Sequence, residues 1–379
     1  MMETKIRIPL IKPDLPPFEE VAGLFQEALE SGKVTNFGKH LTAFEEEAGR
    51  YLGAQAVAVS SGTLGLVFTL QALGLQPGQK VILPSFSFMA TAQAVLYAGG
   101  VPVFADVQED ITLSPEDLEF LLKREKQVFA VLPVHLYGLP CKIDPIQQVI
   151  DRAAQAAGRP IRLMFDAAHA FGSARDGKRV GASGDAEVFS LSVTKALVCV
   201  EGGLVTSRDS ALIQRIKKMR NYGIEQSYDA WWPGMNGKMS ELHAIVGLKN
   251  LQRLESVLET RKKKAEFLAG LIRRGCRSKV LDAPAGVRHT YKDFTVLVPP
   301  EMKAKRDVMM KRLDEEGVET RAYFYPPIHE QKFFRRFADR PLPATEDLSR
   351  RVITLPFFTS ISEQEMGKIA EALVKAEKI

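Results

Sequence analysis

The feature that most constrains this chain is a regular alternation of two kinds of apolar segment over its first two hundred residues. Short runs rich in β-branched and aromatic residues occur at 56–60 (AVAVS), 80–86 (KVILPSF), 101–107 (VPVFADV), 128–134 (VFAVLPV), 161–168 (IRLMFDAA), 186–192 (AEVFSLS) and 202–207 (GGLVTS). Several are apolar almost throughout, which is the pattern of strands covered on both faces. Between them lie segments with helical spacing, such as 63–74 (TLGLVFTLQALG), 89–99 (MATAQAVLYAG) and 144–158 (DPIQQVIDRAAQAAG). An amphipathic helix over 16–32 precedes them, with Pro before it and Gly after it. The repetition predicts an α/β unit, a mostly parallel seven-stranded sheet sandwiched by helices.

The pattern changes after about residue 208. Apolar residues at Leu242, Ile245, Leu248, Leu251, Leu254 and Leu258 predict one long connecting helix from Ser240 towards Arg273. Beyond it the order is a strand over 289–298, a helix over about 303–316, a strand over 318–324 (VETRAYF), a loop rich in Pro and aromatics, and a helix from about 361. The expected organisation is a large domain over 1–250 and a small C-terminal α+β domain over 251–379.

Composition narrows the function classes. With 51 basic and 46 acidic residues the net charge is +5, too mild and dispersed to argue for nucleic acid. The basic run Arg261 to Lys264 reads as a solvated helix face. Cys141, Cys199 and Cys276 have neither metal spacing nor a disulfide framework, so no metal site and a reduced, cytoplasmic setting are expected. The N-terminal stretch lacks the apolar core of a signal peptide, and no apolar run approaches the ~20 residues that cross a membrane.

In open parallel sheets ligands bind at the carboxyl ends of the strands. Four features lie there. Ser60 to Gly65 (SSGTLG) follows the first strand and opens a helix, the form of a phosphate cradle, although an ordinary N-cap turn has the same composition. Asp166 (in FDAAHA) ends a buried strand, where a bare carboxylate needs a cationic or N–H partner; His169 follows three residues on. Lys195 sits in an apolar run (FSLSVTKALVCVEGG) that favours a neutral, reactive amine over a charged one. Ser190, five residues earlier, carries a hydroxyl that can reach the same phosphate. A Schiff-base lysine implies pyridoxal 5'-phosphate, which needs a phosphate cradle, a carboxylate opposite its ring nitrogen and a stacking surface. Gly62 and Thr63, Asp166, and Phe88 (in PSFSFMATA) supply these.

With these motifs in order, the chain resembles the nucleotide-sugar aminotransferases of the DegT type, within PLP fold type I. The likeness runs nearly end to end, through IPLIKP, SGKVTNFGKHLTAFEEEAGRYLGA, VSSGTLGL, LPVHLYGLP, FDAAHAFG, RNYGI, GMNGKMSELHAIVGLKNLQRLE and FYPPIH. It implies that Lys195 forms the internal aldimine and shuttles the proton, and that Asp166 pairs with the pyridinium nitrogen. Gly62, Thr63 and Ser190 would contact the phosphate, Phe88 would stack on the ring, and His169 would lie near the ring oxygen. Asn236 matches a residue that reaches the neighbouring subunit's cofactor, which implies a homodimer with shared active sites. Thr35, Tyr325 and His329 fall where the family meets its substrate. The implied reaction moves an amino group from an amino acid, by family expectation L-glutamate, to a nucleotide-linked keto sugar. Three positions depart from the pattern: Ser192 where His is frequent, Ala196 where Asn is, and Lys238 where Arg is. These leave other readings open: an aminotransferase for a cyclitol or another keto compound, a sugar dehydratase, or a PLP-binding regulatory dimer. A nicotinamide enzyme is disfavoured, since no GxGxxG follows the first strand.

Overall fold

The structure is a computed structural model that describes residues 7–378. Seven strands form the large sheet: β1 Gln55–Val59, β2 Lys80–Pro84, β3 Val101–Ala105, β4 Val128–Val131, β5 Arg162–Asp166, β6 Ala186–Ser190 and β7 Gly203–Ser207. Their spatial order is β1-β7-β6-β5-β4-β2-β3. All lie parallel except β7, which runs antiparallel to both neighbours. Each of the seven apolar runs thus holds a strand.

Side chains alternate across a strand, and here both faces are buried. On β2, Val81 and Leu83 pack with the helix Gly62–Ala72 through Leu66, Phe68 and Leu70, while Ile82 joins Leu118, Leu121, Ile146 and Ile150 on the opposite side. The latter come from two helices of the other layer, Pro115–Arg124 and Ile143–Ala157. Apolar-throughout strands are what a doubly covered sheet demands.

The predicted long helix runs over Glu241–Gly275, capped by the Ser240 side chain, which accepts from the His243 N–H. Its first half, with Leu248, Leu251, Leu254 and Leu258, packs in the large-domain core. Its second half, with Ala265, Leu268, Ala269 and Ile272, packs in a separate core. That second core is built on a three-stranded antiparallel sheet in the order Lys279–Val280, Phe294–Leu297, Val352–Leu355, with helices Arg306–Glu315 and Glu363–Glu377. Ile8 belongs to it too, so the chain's first described residues lie with its last.

The strand expected over 318–324 does not form. Val318 makes one parallel bridge to Ile8 and Arg321 one antiparallel bridge to Thr354. The chain then turns, with the Tyr325 N–H donating to the Ala322 carbonyl at 2.7 Å. The aromatic half of the run leaves the sheet: Phe324 lies 5.8 Å from the ring of Phe88 on the large domain. Two short strands, Val352–Leu355 and Lys279–Val280, take the sheet positions instead.

The basic run is not a solvated face either. Lys262 and Lys263 are exposed, but Arg261 is buried, and its guanidinium donates to the carbonyls of Thr290 (3.1 Å), Tyr291 and Lys292 (3.4 Å). The Lys264 ammonium donates to the carbonyls of Thr359 and Ile361, both at 2.6 Å. These cations tie the middle of the long helix to loops of the small domain. Replacing Arg261 with Ala leaves buried carbonyls without donors, and the expected loss is roughly 3 kcal/mol. Urea unfolding of R261A checks this; a midpoint equal to wild type would remove Arg261 from this role.

Candidate active site

β1, β2, β5 and β6 deliver their carboxyl ends to one edge of the sheet. Antiparallel β7 brings its amino end there, since Gly203 pairs with Val59 and with Ser190. At this edge lies a cavity of about 260 Å³, lined among others by Gly62, Thr63, Phe88, Asp166, His169, Ser190 and Lys195.

At one end of the cavity, the helix Gly62–Ala72 begins. Ser61 caps it, its side chain accepting the Leu64 N–H at 3.2 Å. The first N–H groups of a helix have no partner within it and favour an anion. Ser61, Thr63, Ser190 and Ser192 bring hydroxyls to the same place, and the Ser190 Oγ lies 3.4 Å from that of Ser192. Gly203 permits the close approach: a Cβ there would meet the Ser61 carbonyl carbon at 2.5 Å and the Gly62 nitrogen at 2.6 Å.

Opposite stands Asp166, only 6% exposed at the end of β5. One carboxylate oxygen accepts from the Thr91 hydroxyl at 2.7 Å, the other from the Ala168 N–H at 3.0 Å. Burial raises its pKa above the ordinary carboxylate value, against the pull of the Thr91 hydroxyl, the Ala168 N–H and the charges of Lys195 and His135. No cation is within ion-pair distance of it among the described residues. A buried carboxylate with two neutral donors and an open side towards a cavity suits a cationic ring nitrogen.

Lys195 follows β6 in a turn that its own N–H closes on the Ser192 carbonyl at 3.0 Å. Its amine is brought down to about 7. Burial is the largest cause and the nearby charge of Lys292 the next, opposed by Asp293, Asp166 and Glu201. His169 accepts the Tyr137 N–H on Nδ1 at 3.1 Å, so the neutral ring carries its proton on Nε2. Burial, then Lys195 and Lys292, hold its pKa well below 6.5.

The other expected residues lie elsewhere. Asn236 is exposed and bridged to Asn221, outside this cavity. Thr35 is exposed and bridged to Ser240. The ring of Tyr325 is half-exposed, 4.5 Å from the Arg306 guanidinium. His329 is buried away from solvent: the Ser85 hydroxyl meets its Nδ1 at 2.7 Å, and its Nε2 lies 3.5 Å from Glu346. Three residues of the site had no sequence signal. Thr91 and Ser87 belong to an unremarkable helix start, and Glu201 reaches the cavity only because β7 is antiparallel. A larger groove, about 890 Å³, opens beside the long helix at residues 282–291 and holds none of the candidate residues.

A mostly parallel seven-stranded sheet that presents a lysine, an aspartate and a helix start at one edge has the architecture of the fold type I aminotransferases. The chain belongs to the DegT/DnrJ/EryC1/StrS aminotransferase family, whose pattern it matches over residues 18–374. Among its relatives, UDP-N-acetyl-3-dehydro-alpha-D-glucosamine 3-aminotransferase of Acidithiobacillus ferrooxidans is 34% identical over 340 residues, 89% of this chain and 88% of that protein. GDP-perosamine synthase of Vibrio cholerae is 29% identical over 371 residues, covering 97% and 98%. The crystal structure of DesI in the presence of its TDP-sugar product superposes with a TM-score of 0.90 at 34% identity, covering 98% of this chain and 93% of that one. DesV of S. venezuelae, in complex with a ketimine intermediate, gives 0.87 at 30% identity, covering 99% and 100%.

Proposed function

We propose that this aminotransferase uses pyridoxal 5'-phosphate to move an amino group from an amino acid, by family expectation L-glutamate, to the keto group of a nucleoside-diphosphate sugar. The observation that carries the reading is the meeting of Lys195 and Asp166 in one cavity beside the start of the helix Gly62–Ala72. The relatives named above act on UDP-, GDP- and TDP-linked sugars, which supports the substrate class.

When bound, the cofactor supplies an aldehyde that condenses with amines and a protonated ring that draws electrons from a neighbouring C–H bond. Gly62, Thr63 and Ser190 would hold its phosphate. Asp166 would hold the ring nitrogen protonated, Phe88 would cover one ring face, and the Nε2–H of His169 would donate to the ring oxygen. Lys195 would hold that group covalently through its amine. Its free amine would act as base and then acid, taking the proton from the donor Cα and returning it, and would do the reverse with the sugar substrate. An amine with a pKa of about 7 is part neutral and part charged near neutral pH, which suits both directions.

We propose a homodimer with shared sites. Asn236 lies on an exposed strip with Tyr222, Tyr228, Trp231 and Met235, and Tyr228 is 96% exposed. Such apolar exposure suits a second copy of the chain. Thr35 and Tyr325, both at the surface, are our candidates for sugar contact. His329 would act by fixing the loop that carries Tyr325. The three free cysteines agree with a cytoplasmic setting, and no described helix is long and apolar enough to cross a membrane. We assign the large domain to residues before about 250 and the small domain to those after, with the long helix shared.

Absorption spectra of the protein with added pyridoxal phosphate test the reading. A visible band that shifts to the pyridoxamine form on L-glutamate is the expected result, followed by turnover on a panel of nucleotide keto sugars. A band that ignores glutamate points to another donor or a dehydratase, and no band at all rejects the cofactor.

A further inference from the structure

His329 is only 6% exposed, yet its Nε2 is buried without a hydrogen-bond partner. The other ring nitrogen is accounted for. Nδ1 lies 2.7 Å from the Ser85 hydroxyl, whose oxygen also accepts the His329 backbone N–H at 2.9 Å. Ser85 is fully buried just past the end of β2, so the ring is held in one orientation. Nε2 faces Glu346, 3.5 Å from its Oε1. Glu330, the next residue after His329, completes a cluster in which one ligand atom from each of the three side chains lies within 4.8 Å of the others. His329 and Glu330 belong to the turn Ile328–Glu330, and Glu346 to the short helix Pro343–Ser349.

Neither neutral tautomer of His329 satisfies Glu346. With the ring proton on Nδ1, donated to the Ser85 oxygen, Nε2 turns a lone pair towards a carboxylate. With the proton on Nε2, the oxygen lies beyond the usual range of about 2.7–3.2 Å for such a bond. The spacing suits a metal ion better. Tetrahedral zinc, with bonds of about 2.0–2.1 Å, sets its ligand atoms about 3.3 Å apart, close to the 3.5 Å between Nε2 and Glu346 Oε1. The Glu330 side chain is partly exposed and free to close the remaining gap. Charge favours a cation too. Arg350 lies 2.8 Å from Glu330 Oε1 and 3.8 Å from Glu346 Oε2, while Glu346 Oε1 accepts the Leu342 N–H at 3.0 Å. One guanidinium against two carboxylates leaves a net negative charge beside the histidine.

We propose that His329, Glu330 and Glu346 form a site for a divalent first-row transition metal, with zinc the best match and water completing its shell. One imidazole with two carboxylates suits such an ion, whereas magnesium and calcium favour oxygen ligands alone. The Ser85 hydroxyl is the outer partner that fixes the tautomer and direction of a metal-bound histidine. The spacing of the cysteines could not reveal this site, since no cysteine belongs to it. The ion is structural: none of its three ligands lines the cavity of Lys195. It clips the turn and the short helix onto the end of β2, three residues before Phe88.

The test uses the full chain with pyridoxal phosphate added and the excess removed, stripped with EDTA, dialysed and titrated with zinc chloride. Wild type is expected to retain one zinc per chain through gel filtration and to melt at a higher temperature with zinc than without, as binding to the folded state requires. E330Q and E346Q each weaken zinc binding by at least about tenfold, the effect of losing even an outer partner, and lose the zinc-dependent rise in melting temperature. Glutamine at 346 can still accept the Leu342 N–H, so E346Q removes the charge and keeps the fold. Absence of zinc from wild type overturns the proposal. Wild-type zinc affinity in either variant overturns it as well, because the ion then lies elsewhere. If E346Q does not fold, E330Q decides alone. The site does not depend on the reading of Lys195. The visible cofactor band is read in the same samples, and its absence rejects the proposed function without changing the zinc count.

Discussion

K195A has no measurable aminotransfer and remains folded. In the proposed mechanism the side chain serves as covalent anchor, base and acid, and no second amine among the described residues lines the cavity to replace it. Turnover is expected to fall by at least about 10⁴-fold, the upper range for one positioned acid–base group. The fold gains by the change when the cofactor is absent. The folded amine has a pKa of about 7 against 10.5 for an ordinary lysine, with burial the main cause. Between those values the unfolded chain holds a proton that the folded chain does not, so wild-type stability rises with pH across that window. Below about 7 both states are protonated and the full cost remains, roughly 5 kcal/mol, of which lost packing of the alkyl stem offsets a part. Cofactor-free K195A is therefore more stable than wild type at pH 6, and the gain shrinks towards pH 10. Urea titrations at both pH values check the sign. Wild-type turnover in K195A, or no gain at pH 6, would contradict the buried neutral amine.

D166N keeps the cofactor in place but loses most of the rate. Asparagine matches the shape of aspartate, so its oxygen can still accept the Ala168 N–H and its amide can meet the Thr91 oxygen. What disappears is the negative charge that would hold the ring nitrogen protonated. Losing one preorganised electrostatic partner costs about 10²- to 10³-fold in kcat. Burial has already raised the pKa of Asp166, so the neutral amide also removes an unfavourable buried charge from the cofactor-free protein. Its thermal stability should be equal or higher. Steady-state kinetics and absorption spectra together separate lost chemistry from lost binding, and a kcat within about threefold of wild type would exclude Asp166 from partnering the ring.

Much of this site was legible because its residues sit at the ends of strands that announce themselves. β2 and β5 are apolar on both faces, so Phe88 and Asp166 fall at a predictable edge. Lys195 stood out as a charge in an apolar run, and the cavity explains it. Thr91 was not legible, because its meaning depends on Asp166, distant in sequence and close only across the sheet edge. Lys292 and Asp293 fall within the run 289–298 expected as a strand, but the strand begins only at Phe294. They are buried where the Tyr137 carbonyl accepts the Lys292 N–H and Arg261 binds the neighbouring carbonyls, contacts between residues far apart in sequence. The VETRAYF run misled for a related reason. β-branched and aromatic residues favour a sheet, but they serve equally to pack on another surface, and here Phe324 lies against Phe88. His329 carried the appearance of a substrate contact, yet both its nitrogens face Ser85 and Glu346.

The long helix Glu241–Gly275 has a practical consequence for hybrid enzymes. One rigid rod contributes side chains to both cores, so the protein has no joint at which the two halves can be parted like beads on a string. A graft that swaps the small domain for a relative's, cut at the start of the rod, carries off Leu248, Leu251, Leu254 and Leu258 and strips one wall from the recipient. Cut at its end, the graft leaves behind Leu268 and Ile272 and arrives without its own floor. The viable seam lies inside the helix, between Leu258 and Ala265, with its turn count kept, and the clamp on residues 290 to 292 must come from whichever parent supplies those carbonyls.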